Sequence, residues 1–333
     1  SPDLLDDGKA DIWDSKKVDS DQSVEIEYQG RPLASREKCW WTVKYWDEDG
    51  MESGWADPAM WTMGLLSPQD WTARWIGLER TVGDENVKTE FPRLAARMLR
   101  KQANIAKEVQ DAVVYICGQG LFECYINGKK VGNDVLTPAL SEYGKRSFYM
   151  TYDVADMLKK GDNTVGVMLG NGRYCPVRTG MGNVDLEYGF PKLLMQLEVT
   201  YADGTKEVIN SDTTWKLTTD GPIVANNEFD GEEYDANKEM SGWCENGFDD
   251  SAWMQAEAVK AASPVLSALP TAPIAVMETI RPVAVFETKP GVFIFDMGQN
   301  MVGWTRLKVK GKKGDCVQLR FAETLKPDSS LYM

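Results

Sequence analysis

Residues 114–132 read VYICGQGLFECYINGKKVG. The runs Val113 to Cys117 and Phe122 to Ile126 are built from β-branched, aromatic and other apolar side chains and read as strands. Asn127-Gly128 closes the second run, and Asn-Gly is the strongest short-range hairpin signal, because a type I′ turn needs φ > 0 at both central positions. Working outward, Val165 to Leu169, Leu193 to Tyr201 and Glu207 to Asn210 continue the pattern, and Asp203-Gly204 closes another hairpin. From Asp111 onward strand and turn signals recur about every 8 to 15 residues, which predicts an all-β sandwich or jelly roll.

Upstream, Cys39 to Trp46 read CWWTVKYW. Cys39, Trp41, Val43 and Tyr45 fall on one face and Trp40, Thr42, Lys44 and Trp46 on the other, the period of two that marks a strand. Asp49-Gly50 is a turn, and Trp55 to Met63 reads as a second strand, so residues 1–70 form a small β-module. That length falls short of a complete sandwich of about 100 residues, and further polypeptide is expected in front of Ser1. One stretch conflicts with an all-β reading. Leu94, Met98, Ile105 and Val109 are spaced like one helix face, and Ala95, Ala96 and Ala103 add helix propensity.

Downstream, Ala261 to Pro273 carries Pro264, Pro270 and Pro273 and reads as a linker into a third β-rich segment. There Val292 to Asp296, Trp304 to Lys310 and Val317 to Phe321 are the expected strands. The expected modules are therefore 1–70, 71–262 and 263–333, with little helix beyond a turn at Val154 to Lys160.

Composition narrows the chemistry. The 333 residues carry 37 Lys+Arg against 51 Asp+Glu, a net charge of −14, whereas affinity for a phosphate backbone comes from clustered cations. Neither a nucleic acid nor an anionic membrane is an expected partner. The chain has no histidine, which removes Ser-His-Asp and Cys-His systems and imidazole metal sites. Six separated cysteines show no C-x-x-C pair, so free buried thiols are expected. The 12 tryptophans suit β-sandwich cores and also surfaces that stack on sugar rings.

Two loops could carry a site. In Asn171-Gly172-Arg173-Tyr174-Cys175-Pro176, the side chains of Asn171, Arg173 and Tyr174 offer amide, guanidinium and phenol hydrogen bonds to sugar hydroxyls, and glycine permits close approach; an ordinary connecting loop is the other reading. If Ca²⁺ takes part, the Asn171 side-chain oxygen and the Pro176 carbonyl are the candidate ligands. The acidic run Asp230-Gly231-Glu232-Glu233-Tyr234-Asp235 is the alternative, with Asp230, Glu232 and Asp235 as oxygen donors or as a solvated loop. Its spacing fails the EF-hand pattern. No self-contained catalytic constellation is visible.

A resemblance organises these readings. ARMLRK (Ala96 to Lys101), the stretch Val114 to Gly132, LTPALSEYGKR (Leu136 to Arg146), TYDVADMLKKGDNTVGVMLGNGRY (Thr151 to Tyr174) and DGEEYDA (Asp230 to Ala236) resemble the N-terminal jelly-roll module of bacterial α-L-rhamnosidases, glycoside hydrolase family 78. FIFDMGQNMVGWTRLKVKG (Phe293 to Gly311) and Leu319 to Asp328 resemble the start of that family's concanavalin-like domain. Gly8 to Ser23 and CWWTVKYWDEDG resemble its leading fibronectin-III-like module.

The resemblance implies a strand, not a helix, over residues 94–109, although this chain has Ala103 where relatives usually have an aromatic. It implies the non-catalytic part of an enzyme that hydrolyses terminal α-L-rhamnose with inversion. The two glutamates responsible belong to an (α/α)₆ barrel absent from these residues, so no catalytic role is carried onto any position here. The expected partners are a rhamnose-containing glycan and that barrel, no cofactor is required beyond possible Ca²⁺, and the expected place is extracytoplasmic, periplasmic or secreted. A stand-alone carbohydrate-binding or adhesion protein built from the same modules is the alternative.

Overall fold

The structure is a computed structural model, and it describes residues 2–6, 9–177, 188–327 and 330–332. The chain divides into two compact units, Ser1–Ala275 and Val276–Met333. Among the described residues helix is confined to one short segment, Pro2–Asp6, and three single 3₁₀ turns, the second of which, Ala155–Met157, occupies the expected turn.

The first unit opens on a two-stranded sheet of β1 (Lys38–Trp41) and β2 (Ala59–Thr62), antiparallel with Cys39 opposite Trp61. Beyond Trp41 the expected strand is irregular, held by the Trp46–Glu52 bridge and by bonds such as Ala56 N–H to the Val43 carbonyl (2.9 Å). Cys39 is buried, but Trp41, Val43 and Tyr45 on the same face are exposed.

Residues from Ile76 onward build a β-sandwich. Its strands are β3 (Ile76–Gly77), β4 (Arg97–Ile105), β5 (Val109–Gln119), β6 (Leu121–Ile126), β7 (Lys129–Lys130), β8 (Arg146–Asp153), β9 (Gly161–Gly170), β10 (Lys192–Tyr201), β11 (Lys206–Asn210) and β12 (Lys216–Thr218). They continue through β13 (Ile223–Asn227), β14 (Gly231–Tyr234), β15 (Met254–Gln255), β16 (Glu257–Ala258) and β17 (Val265–Ala268). One sheet runs β16-β3-β10-β5-β8-β17, with β11 also on β10; the facing sheet runs β15-β12-β4-β9-β6-β7. Alternation along β6 sends Phe122, Cys124 and Ile126 inward. They meet Leu99, Val114, Ile116, Val167, Leu169, Leu193, Met195, Leu197 and the fully buried Trp215 between the sheets. Asn127 (φ 50°) and Gly128 (φ 81°) take the left-handed conformations that the hairpin between β6 and β7 demands.

The helix-like spacing at 94–109 yields to the sheet. Residues 97–105 are β4, paired residue for residue with β9 from Arg97–Leu169 to Ile105–Gly161. Nine ladder positions, with Leu99 and Ile105 in the core, outweigh an alanine propensity worth tenths of a kcal/mol per residue.

The proline-bearing stretch from 261 to 273 does not run free. Val265–Ala268 adds to the sandwich as β17, the parallel neighbour of β8, and Ser263 is buried against Ser147 and Tyr143. The compact units part after Ala275.

The second unit contains a hairpin of β18 (Ala284–Lys289) and β19 (Val292–Asp296), turning at Gly291 (φ 78°). Val292 to Asp296 is the expected strand. Trp304 to Lys310 and Val317 to Phe321 are not strands: among the described residues no ladder pairs them, and Trp304, Val309 and Phe321 are exposed. An apolar alternation specifies a strand only when a neighbouring strand takes its backbone bonds.

Candidate functional site

The Asn171 loop leaves the end of β9 and packs on the β13–β14 hairpin. Gly170 and Gly172 make room: a Cβ at Gly170 would stand 2.9 Å from Asn226 Oδ1, and one at Gly172, where φ is +52°, 2.9 Å from Leu121 Cγ. Asn171 is fully buried. Its Nδ2 donates to the Leu94 carbonyl (2.8 Å) and the Asn226 carbonyl (2.7 Å), and its backbone N–H donates to Asn226 Oδ1 (2.7 Å). Its Oδ1 has no partner among the described residues.

Tyr174 is likewise buried. Its hydroxyl lies 3.2 Å from Gln119 Oε1 and 2.5 Å from the Tyr188 carbonyl, and its ring stacks on Tyr188 and meets Tyr143 edge-on. Burial pushes the Tyr174 phenol well above its ordinary range. Asn171 and Tyr174 therefore spend their donors holding this end of the sandwich together. Arg173 is the member of the trio at the surface: it donates from Nε and Nη2 to the Glu228 carboxylate (2.5 and 3.1 Å), its guanidinium lies over the half-exposed Phe229 ring, and the carboxylate holds its pKa above the ordinary value.

The acidic run lies on the same hairpin, so the structure brings the two candidate loops together. Asn227 Nδ2 donates to the Val177 carbonyl (2.9 Å) and also to Asp230 Oδ2 (3.1 Å). The three acidic residues do not converge. Asp230 accepts from Asn227. The Glu232 carboxyl is pushed up by burial and by the Glu123 carboxylate. Asp235 caps the 3₁₀ turn Ala236–Lys238, and Asn237 holds its pKa down. Asn226, Asn227 and Glu228 are the residues that sequence reasoning missed; the only signal was their place immediately before the acidic run.

Calcium takes six to eight oxygens. The expected ligands Asn171 and Pro176 would bring two neutral oxygens, of which Asn171 Oδ1 is the buried one left unpartnered. Among the described residues no group of three or more His, Cys, Asp or Glu could hold a metal ion. Residues 178–187, which follow the loop, lie outside the described residues.

Beside the loop opens a cleft of about 540 Å³, lined by Glu79, Tyr188, Gly189, Lys192 and residues 258–262. Lys192 is buried at its floor, paired with Glu79 Oε1 (2.5 Å) and within reach of the Tyr188 and Phe190 carbonyls (3.3 and 3.1 Å). Carboxylates elsewhere are similarly spent: Glu85 holds the fully buried Arg97 (2.7 Å), and the partly exposed Asp250 holds the fully buried Arg100. The chemistry on offer at these positions is hydrogen bonding.

Three family models match, in order along the chain. "Rha78A-like, N-terminal immunoglobulin domain" covers residues 4–67, "Alpha-L-rhamnosidase N-terminal domain" residues 107–278 and "Bacterial alpha-L-rhamnosidase concanavalin-like domain" residues 286–333. An α-L-rhamnosidase of Formosa agariphila is 41% identical over 100% of the chain, which spans 36% of that relative; one of Alteromonas sp. is 37% identical over 95% of the chain and 34% of the relative. Among solved structures, the α-L-rhamnosidase from Dictyoglumus thermophilum superposes with a TM-score of 0.77 at 35% identity, over 99% of this chain and 37% of that one. The Streptomyces avermitilis α-L-rhamnosidase complexed with L-rhamnose gives 0.83 at 27% identity, over 100% and 48%. The chain thus spans roughly a third to a half of the proteins it matches, and it belongs to the bacterial α-L-rhamnosidase family.

Proposed function

We propose that the chain is the non-catalytic, amino-terminal part of a glycoside hydrolase that removes terminal α-L-rhamnose from glycans. The observation that carries this reading is the colinear match to α-L-rhamnosidases over the full chain, against only 36% of the Formosa relative's length. Hydrolysis with inversion needs a general acid and a general base about 6.5–9.5 Å apart around an open sugar site. Here the carboxylates of Glu85 and Asp250 are committed to buried arginines. The acid and base are assigned to the part of the relatives that this chain does not span, and the sandwich is assigned to supporting that part and to holding a rhamnose-containing glycan near it.

Placement outside the cytoplasm follows from that substrate class; no helix among the described residues is long and apolar enough to cross a membrane. The test is turnover of an aryl α-L-rhamnoside by a protein spanning the relatives' full length, with proton NMR following which rhamnose anomer appears first. Release of β-rhamnose supports inversion, and α-rhamnose first would overturn it.

A further inference from the structure

Three Asn-Gly dipeptides lie in the chain: Asn127-Gly128, Asn171-Gly172 and Asn246-Gly247. In this dipeptide the backbone can attack the preceding side chain, because glycine has no Cβ to shield its nitrogen. The glycine nitrogen, having lost its proton to hydroxide, bonds to the asparagine Cγ, and the Cγ–Nδ2 bond breaks. Nδ2 takes a proton from water and leaves as ammonia. A water molecule then opens the cyclic imide, at Cγ to give aspartate or at the backbone carbonyl to give isoaspartate. Amide and water thus become carboxylate and ammonium.

The fold treats the three dipeptides differently. Asn171 is fully buried, and a Cβ at Gly172 would stand 2.9 Å from Leu121 Cγ. Asn127 is half-buried: its Nδ2 donates to the Met157 carbonyl (3.0 Å) and Asn163 Oδ1 (2.8 Å), and its Oδ1 accepts from Thr164 N–H (3.0 Å). The attacking nitrogen is engaged there too, since Gly128 N–H donates to the Cys244 carbonyl (3.1 Å). Asn246 and Gly247 are both exposed. Gly247 N–H makes no hydrogen bond among the described residues, and nothing lies within 4 Å of where its Cβ would stand. Asn246 has only two bonds to release before it can turn, from Nδ2 to the Asp162 carbonyl and to Oδ1 from the Thr164 hydroxyl (both 2.6 Å).

We propose that Asn246 is a modification site, at which the folded chain deamidates in preference to Asn127 and Asn171, and that the product loosens residues 241–250 from the sheet. The two bonds it releases fasten this segment to β9. A carboxylate still accepts from Thr164 but has no donor for the Asp162 carbonyl, and it adds charge between Glu245 and Asp249. Isoaspartate also lengthens the main chain by one atom. That displaces the neighbouring carbonyls of Glu245, which accepts from Arg100 Nη2 (3.0 Å), and of Cys244, which accepts from Gly128. Cys244 is buried because Gly166 lets it close on the sheet, where a Cβ on Gly166 would stand 2.6 Å from Cys244 Cβ. Its thiol is the group that loosening uncovers.

The test ages the 333-residue chain in mildly alkaline buffer and follows it by peptide mass mapping, with enzymatic methylation to count isoaspartate. The mass gain of carboxylate over amide should appear at Asn246 about tenfold or more sooner than at Asn127, the worth of the two further hydrogen bonds that Asn127 and Gly128 must break. Asn171 should follow last. In chain unfolded by urea the three should react at similar rates, because the fold alone distinguishes them. Cys244 should become reactive to a thiol reagent in step with the gain at Asn246, and Asn246→Ser, which has no amide, should age without either change. If that variant exposes Cys244 from the outset, the parent's mass map and thiol time course decide alone. Equal or earlier gain at Asn127 or Asn171, no gain at Asn246 in the folded chain, or a gain there with Cys244 still protected would overturn the proposal.

Discussion

Replacing Arg36 with alanine should release the amino-terminal β-module from the sandwich while leaving the sandwich folded. Arg36 donates from Nε and Nη2 to both oxygens of Glu198 on β10 (2.6 and 2.7 Å), from Nη1 to Asp70 Oδ1 (2.9 Å), and from Nη2 to the Asp70 carbonyl (3.1 Å). Glu198 is the chief cause holding the Arg36 pKa above its ordinary value. The side chains are 31%, 21% and 20% exposed for Arg36, Asp70 and Glu198. Breaking a fully buried pair costs about 3–5 kcal/mol and an exposed one about 0–1 kcal/mol. This partly solvated fork therefore contributes on the order of 2 kcal/mol. Arg36 also sits at φ 68°, a cost that alanine retains and cannot offset with the same contacts.

The natural reporter is the Leu65 amide, which donates to the Tyr149 hydroxyl (2.8 Å) where the module meets the sandwich. A loss of about 2 kcal/mol in local opening speeds its hydrogen exchange about 30-fold. The Leu197 amide, deep in β10, should be unaffected. Lysine at position 36 keeps the charge but not the fork and should recover only part of the protection. Exchange at Leu65 within about twofold of the parent, the range of an inconsequential surface change, would refute the reasoning.

Asp70 sets a pH dependence for the same junction: its carboxyl is held low, first by the Ser35 hydroxyl and then by Arg36. A depressed folded-state pKa contributes stability that is complete above the unfolded value of about 3.9 and lost as pH falls through the folded value. Tryptophan fluorescence should thus stay flat down to about pH 4 and change only below it. Thiol counting should find Cys316 reactive in the native chain and the other five only after denaturation, because they are buried and burial raises Cys124 and Cys175 to about 12; fast modification of Cys117 would contradict the packing. Asn171→Ala should cost about 1–3 kcal/mol in urea denaturation, since it removes the Nδ2 bonds to the Leu94 and Asn226 carbonyls and leaves Leu94 only the longer bond from Asn226 Nδ2 (3.4 Å); a change below about 0.5 kcal/mol would argue against its role as a latch.

Local signals in the sequence carried the sandwich. Asn127-Gly128 and Asp203-Gly204 specify turns by backbone conformation alone, and the strands beside them pair where expected. What sequence could not show was set by distant partners. Residues 97–105 read as helix until β9 supplies their hydrogen bonds, and Val265–Ala268 reads as linker until β8 does. The aromatic surplus divides the same way: Trp215 is core, whereas Trp41, Trp55 and Trp304 are exposed.

The site was less legible for a related reason. Asn171, Arg173 and Tyr174 have the residue types that recognise sugars, but residue type does not reveal whether donors are already used. Two of the three are buried and bonded within the fold.

The most direct test of the central claim compares this chain with a protein spanning the full length of its relatives on an aryl α-L-rhamnoside. The account predicts turnover by the longer protein and none by residues 1–333 alone. Turnover by residues 1–333 that a single Asp or Glu substitution abolishes, or an inert longer protein, would contradict it.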